Sequence, residues 1–477
     1  MSLFTKEELT RFKTYRSRGI EMRGIWHMPK ALIPRFGFDG NRYDENTLKG
    51  IQAALDDVRG LGFNTILIET TVNAYTIYPS KVGTIHPDYK DHYYGPEYGN
   101  DYLKCFIGEA HKRGLDVHAW TTTMRAGSNY KSTVNESLPQ AIKLEWLARG
   151  YHNEYGLSGK YGELMWLDPS NEEVVDYILR LYEELLNNYD FDGIELDAIR
   201  YPVSNIMSVS KVEDISDFGY TENALKGFKE QYQFDGDLKK EIIDNIDLKK
   251  KWISYRTELI NQIVEKLYSL VRALKPNLPF SAAVFNNPES SITTVCQDWA
   301  DWCQKEWFDF ISPMAYSTDH SIVQKSYDVT ETLVDGKAFN LQGLGSIIFS
   351  GTYETHFEQM ELINNAGGLG SILFSTRQLL KDDKTMAMLE IIHQYDQAIS
   401  PLKTKDEITE EVSNKIKNYA PKFALDSKLD VNISNLKQLR DTTFKNDKYI
   451  AQVIDALIKT LNIKDYRENL IKNKKEC

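Results

Sequence analysis

The 477-residue chain has four cysteines, Cys105, Cys296, Cys303 and Cys477, and they are widely scattered. No CxxC spacing offers a zinc site, and no regular framework offers structural disulfides. Cys296 and Cys303 read as members of one helix, about two turns apart and too far to bridge. Basic charge is in deficit, with a formal net charge of −12. Binding to phosphate backbones needs the opposite sign, so nucleic acid is excluded as the main partner. No apolar run is long enough to span a bilayer. The opening stretch, Met1 to Gly19, is polar and of helical texture, with no apolar signal core. As written, the chain is expected in the cytosol, or outside the cell if a leader has been removed from it. No Gly-x-Gly-x-x-Gly follows a strand, which removes the dinucleotide reading, and no cofactor is expected.

What is present has the balance of an ordinary globular protein, 42% hydrophobic and 26% charged. Aromatics are plentiful, with 28 Tyr and 8 Trp. Their flat faces stack well on sugar rings, which fits a carbohydrate partner. Strand-like runs occur at 22–28, 64–69, 116–120, 190–197, 279–285, 308–314, 339–345 and 370–375. Amphipathic helical patterns lie between them, for example at 45–61, 100–113, 171–188 and 248–274. Strands alternating with helices predict an α/β fold with a parallel sheet, and eight such units predict a closed (β/α)8 TIM barrel. The barrel is expected over 21–398, after a helical lead-in over 1–20. A polar β4–α4 insertion at 203–247, carrying Phe218, Tyr220, Tyr232 and Phe234, is expected to form part of a cleft or lid. Residues 399–477 read as a C-terminal helical appendage, with Ile450, Val453, Ile454, Leu457 and Ile458 on one face.

The stretch from Asp190 to Pro202, DFDGIELDAIRYP, carries the strongest chemical signal. Strand side chains alternate, so Gly193, Glu195 and Asp197 share one face while Ile194 and Leu196 share the other. Two carboxylates on an otherwise apolar strand are costly unless they are paired or do chemistry. The carboxyl end of a barrel strand is where such enzymes place their reacting groups. Asp197, at the tip, is the first candidate for a catalytic nucleophile or base. Glu195, on the same face, and Glu69, at the end of strand two, compete for the partner acid, with Asp319 a weaker third. His118 and Trp120 share a face of strand three and are expected in the barrel mouth, Trp120 as a sugar platform and His118 as a hydroxyl partner. Trp26 and Tyr316 read the same way, and Arg200 is placed to orient Asp197. Asp168, in Leu-Asp-Pro, reads as a turn residue, and Asp309 as a charge at the bottom of the barrel.

Several of these motifs together resemble the glycosyl-hydrolase-like family 10, formerly a domain of unknown function. The likeness runs well over 21–320 and loosely over 320–395. It rests on Arg23-Gly24-Ile25-Trp26, on Asn64-Thr65 through Tyr78-Pro79-Ser80-Lys81, and on Glu109 through Trp120 (EAHKRGLDVHAW). It continues with Leu167-Asp168-Pro169, with Asp192 through Asp197 and Arg200-Tyr201-Pro202, and with Trp252, Arg256, Asp298-Trp299 and Ile311 through Tyr316. The resemblance implies a TIM-barrel glycoside hydrolase acting on a bacterial polysaccharide or oligosaccharide, the peptidoglycan strand for some relatives. Two positions depart from the family's pattern. Glu69-Thr70-Thr71-Val72 stands where a Gln-Val-Arg-Pro-like run is usual, and Ala198 where a second acid is frequent. Two rival readings stay open. One is a glycan-binding barrel without activity. The other is a metal-dependent barrel hydrolase with His27, His118, Glu69 and Asp197 converging, although no His-x-x-x-His or similar spacing supports a metal.

Overall fold

The computed structural model describes residues 3–29, 43–129, 137–159, 162–349, 351–394, 396–420 and 432–475. The barrel strands are β1 Met22–His27, β2 Thr65–Glu69, β3 Asp116–Thr122, β4 Gly193–Asp197, β5 Phe280–Phe285, β6 Phe310–Met314, β7 in two pieces (Phe339–Asn340 and Gln342–Leu344) and β8 Gly370–Phe374. Each pairs in parallel with its successor, and β8 returns to β1 with Met22 opposite Gly370 and Trp26 opposite Phe374. The cylinder is therefore closed, as a (β/α)8 barrel requires.

These segments become strands because both of their faces are buried. Ile25, Ile66, Ile68, Val117, Ala119, Ile194, Leu196, Ala282 and Val284 pack outward in the large core beneath the helices. The alternate residues Trp26, Leu67, Trp120, Ala283, Phe310 and Ile372 form a second cluster inside the cylinder. The period-2 alternation thus separates two apolar layers rather than core from solvent. Glycines make room for the large inner rings. A Cβ on Gly193 would lie 2.4 Å from the His118 ring, one on Gly343 2.8 Å from the Trp26 ring, and one on Gly345 2.6 Å from the Tyr316 ring.

The helix Glu172–Asn188 shows why such segments flank the barrel. Val174, Tyr177, Ile178, Leu181, Tyr182, Leu185 and Leu186 recur at helical spacing and are buried, while the Asn171 side chain caps the start by accepting from the Glu173 N–H. The helices near 45–61, 100–113 and 248–274 form at Leu48–Gly60, Tyr102–Lys112 and Ile246–Leu274. The expectation for the cysteines is corrected. Cys296 ends the helix Pro288–Val295 in a left-handed conformation, and Cys303 sits on the next helix, Trp299–Gln304.

The C-terminal helices Lys405–Tyr419, Ile433–Thr442 and Lys448–Lys475 close the amino-terminal end of the cylinder. Ile408, Val412, Ile416, Ile450, Val453, Ile454 and Leu457 join the inner cluster through Ile20, Met22, Phe339 and Leu369. Charged groups seal the rim of this contact. Arg467 Nε donates to Asp309 at 2.8 Å, Lys403 Nζ to Asp116 at 2.5 Å, and Lys415 Nζ to the buried Asp396 at 2.6 Å.

The insertion is pinned to the long helix Ile246–Leu274. The buried Asp217 carboxylate accepts from Arg256 Nη1 at 2.7 Å, Tyr220 Oη at 2.6 Å and Trp252 Nε1 at 3.2 Å. Burial is the largest single influence and works against the charged guanidinium of Arg256, but Asp217 together with Cys296, Tyr220 and Tyr201 outweighs it and raises its pKa. Among the described residues the insertion does not line the cleft at the barrel mouth, contrary to the expectation of a lid. Its aromatics are spent on this packing, with Phe228 and Tyr220 against Trp252 at 5.4 and 5.1 Å. No helix among the described residues is long and apolar enough to cross a membrane.

Candidate active site

A cavity of about 380 Å³ opens at the carboxyl end of the barrel. Its lining includes Asp197 at the end of β4, Ala198 and Arg200 beyond it, Trp26 of β1 and Met28 just after that strand, and Trp120 and Thr122 of β3. Tyr316 after β6, Phe374 of β8, and Ile348 and Phe349 after β7 complete its apolar wall. Asp197 is the one carboxylate among these residues.

The chain after Asp197 turns sharply. Ala198 takes a left-handed conformation at φ 49°, and Arg200 N–H donates to the Ala198 carbonyl at 2.9 Å. A non-glycine residue in that region costs of order 1 kcal/mol and persists only where the surroundings enforce it. Here the turn ends the strand at the acid and leaves its side chain facing the cleft. Two donors fix the carboxylate: Trp120 Nε1 at 3.0 Å to Oδ2, and the Ala198 N–H at 2.5 Å to Oδ1. Backbone pairing holds the base of the turn, with Thr123 N–H donating to the Asp197 carbonyl at 2.7 Å.

Four aromatic rings surround this acid. Trp26 lies 6.4 Å from Trp120, 6.2 Å edge-on to Tyr316 and 6.0 Å from Phe374, and Tyr316 lies 5.2 Å from Phe374. The box presents apolar ring faces, with its two indole N–H groups spent on Asp197 and Glu195, and flat apolar faces beside a carboxylate are the form expected of a pocket for a sugar ring. Burial first, then the nearby Asp197 and Glu195, raises the Tyr316 hydroxyl well above the ordinary phenol range.

Glu195 lies on the same face as Asp197 but deeper. It has no solvent exposure, and its Oε2 accepts from Trp26 Nε1 at 2.7 Å. Burial, with a smaller contribution from Asp197, pushes its carboxyl up to about 8, against the hydrogen bond from Trp26. At neutral pH it is therefore mostly protonated, beneath the floor of the cleft rather than in its wall. The sign for stability follows. Its contribution is whole below the unfolded value of 4.5 and is lost as pH climbs through about 8. Glu195→Gln, which imitates the protonated form, is expected to stabilise the protein by roughly 1–3 kcal/mol at pH 8 and negligibly at pH 4. Paired thermal melts at the two pH values check this. A variant less stable than wild type at pH 8 would mean the native group is ionised there and held by partners.

Two other expected site residues lie elsewhere. His118 is buried inside the cylinder against Gly193, 5.8 Å from Phe310, and does not line the cleft. Burial lowers its pKa to about 4, so it is a neutral packing residue at this depth. Glu69 ends β2 and is buried, but it does not line the cleft. Its position is opposite Trp120 in the ladder, and the Trp120 ring occupies the mouth at that level. Its charge is felt at Tyr89, beside Glu45 and Arg377, and Glu195 feels Asp197 instead.

Arg200 does not orient Asp197 by contact. No ion pair joins them, and the guanidinium lies over the Phe285 ring at 5.1 Å, with only the field of Asp197 opposing its burial. Asp319 caps the helix His320–Val334. Asp168 accepts from Ser170 and Thr221 in a turn. His27 bonds to Glu45 and Thr376 on the outer face of β1, so His27, His118, Glu69 and Asp197 do not converge. Among the described residues no group of three or more His, Cys, Asp or Glu is placed to hold a metal ion. Arg125, Phe349 and Phe374 were not anticipated in the cleft. The inward parity of Phe374 with Ile372 was the available signal for one of them.

Comparison with known proteins places this geometry. The glycosyl hydrolase-like 10 family model matches residues 21–342. The chain is 25% identical over 313 residues to Glycosyl hydrolase YngK of Bacillus subtilis (strain 168), covering 62% of this chain and 54% of that protein. It is 25% identical over 276 residues to Glycosyl hydrolase DigH of Escherichia coli (strain K12), covering 55% and 56%. The chain thus spans about half the length of the curated relatives it matches. In fold it resembles the PgaB (BpsB) glycoside hydrolase domain from Bordetella bronchiseptica, with TM-score 0.53, 12% identity and coverage of 72% of this chain and 93% of that one. It also resembles the catalytic domain of β-amylase from Paenibacillus polymyxa, with TM-score 0.52, 14% identity and coverage of 80% and 98%. The family match covers well over half of the sequence, and the chain belongs to the glycosyl hydrolase-like 10 family.

Proposed function

We propose that the protein is a glycoside hydrolase that cleaves O-glycosidic bonds in a bacterial polysaccharide or oligosaccharide, with Asp197 as its central carboxylate. One observation carries this reading: the one carboxylate among the described lining residues, held by an indole N–H and a strained turn, faces an aromatic box at the carboxyl end of the barrel. Trp26, Trp120, Tyr316 and Phe374 seat the sugar ring, and Asp197 exchanges a proton at the scissile bond. Water adds to the anomeric carbon, the glycosidic oxygen leaves with a proton, and a hemiacetal and an alcohol result. Most glycosidases present two carboxyl groups to the substrate. Here the second, Glu195, is sealed beneath Trp26 and acts as a positioning residue. This arrangement favours a reaction in which a neighbouring group of the substrate supplies the second function, and peptidoglycan strands offer such a group in their acetamido substituents.

The test is product detection by mass spectrometry after incubation of the wild-type protein with peptide-free peptidoglycan strands and a panel of bacterial and plant glycans. Sugar fragments with new reducing ends are expected from at least one of them. A second reading, a glycan-binding barrel without turnover, is favoured by the sealing of Glu195 and by alanine rather than an acid at position 198. Binding without fragments would select it.

A further inference from the structure

The whole chain carries −12, yet among the described residues two guanidinium groups, Arg125 and Arg200, line the cleft beside the carboxylate of Asp197. Glu195 beneath adds little charge at neutral pH, since burial pushes it to about 8.

Arg200 is the more informative of the two. The turn after β4 sets its place, and its guanidinium lies flat over Phe285 at 5.1 Å. Among the described residues its side chain makes no hydrogen bond and no ion pair, and its Nε is buried without a partner. A guanidinium offers five N–H donors in a planar fork; here the Nε is the costly buried one, and the Nη groups open on the cleft. The natural complement of that fork is a planar anion able to take two parallel hydrogen bonds. Arg125 stands on the strand Arg125–Asn129 with its guanidinium over the Trp166 ring at 4.9 Å, and it brings the second positive charge to the same cavity.

Resting on the glycosidase reading, we propose that the cleft selects a sugar bearing a carboxylate, which Arg200 binds in a forked pair while Arg125 adds charge and the neighbouring ring sits in the aromatic box. A uronic acid and a lactyl ether on an amino sugar present the same chemistry. Neutral glycans of the same backbone leave the Arg200 fork without an anion and bind less well.

The experiment uses the full chain with peptide-free peptidoglycan strands, which carry lactyl carboxylates, and with hyaluronan and polygalacturonate, which carry uronates. Each is supplied intact and after chemical reduction of its carboxylates to alcohols. Cleavage is followed as kcat/KM, and binding is measured by calorimetry with the Asp197→Asn protein. The intact form of one class is expected to exceed its reduced form at least ~10-fold in both measures, since a charge-assisted forked pair is lost. In Arg200→Gln this preference falls to near parity, whatever the absolute loss, and Arg200→Lys restores part of it. Equal treatment of intact and reduced glycans by the wild type, or a preference that survives Arg200→Gln, would overturn the proposal. So would failure to bind any acidic glycan. A binding preference without turnover of any glycan would remove the hydrolase reading and leave this one standing.

Discussion

Asp197→Asn is expected to lower the turnover of whichever glycan the wild type cleaves by roughly 10²–10⁴-fold, the usual weight of a positioned acid or base. The substitution is chosen for what it preserves. Asparagine has the shape of aspartate, and its Oδ1 can still accept from Trp120 Nε1 or from the Ala198 N–H, the two donors that fix the native side chain. It loses the charge and the capacity to exchange a proton. The other donor then faces the amide NH2, so thermal stability should fall by about 1–3 kcal/mol, the usual cost of one unmet donor. Steady-state kinetics beside a thermal melt separates chemistry from folding. Equal loss of kcat and kcat/KM would mark an interaction made in the transition state. Undiminished cleavage by a folded variant would move the reacting centre away from the tip of β4.

Asp217→Ala is expected to destabilise the fold by about 3–5 kcal/mol, because it strands a charge rather than because it deletes a contact. Asp217 and Arg256 both have side chains without solvent exposure, at 2.7 Å. Removing the carboxylate leaves the guanidinium against the Trp252 and Tyr201 rings, at 5.0 and 5.3 Å, with no anion near it. Tyr220 and Trp252 lose their acceptor at the same time. Denaturant unfolding of Asp217→Ala, Arg256→Met and the double variant completes the cycle. The double variant should recover much of the loss, since two apolar side chains leave no uncompensated ion. A loss below about 1 kcal/mol for Asp217→Ala would mean that water reaches Arg256 and the pair is not sealed. Cleavage at temperatures well below the melt should continue, because the insertion does not form the cleft wall.

The barrel was legible because a doubly buried parallel strand is a short apolar run between breakers, and all eight such runs stand in order. The site was legible in direction but not in depth. Period-2 alternation assigns Glu195 and Asp197 to one face, and His118 and Trp120 to another, without saying how far each lies along the cylinder axis. A two-residue step is roughly 6.6 Å along the strand. It separates an acid in the cleft from one beneath it, and an indole in the wall from an imidazole in the core. Glu69 has the parity of Leu67 and the level of Trp120, yet it is not among the described residues that line the cleft, and no local pattern separates the two. Phe374 became visible only on closure, because its nearness to Trp26 depends on β8 meeting β1. The glycines of the seventh strand carried a readable hint, since small residues facing inward imply large rings across from them.

The family match stops at residue 342, inside β7. The eighth strand, with its ladder to the first, lies past that point. So do the helices whose isoleucines and leucines plug the lower end of the cylinder. Shared ancestry, as similarity detects it, draws a smaller outline around this protein than cohesion does. A fragment trimmed to the ancestral outline would be a gapped sheet with two raw edges and an open base, a template for pairing with its own copies. The stretch that the family model matches and the unit that closes on itself are therefore different lengths of the same chain.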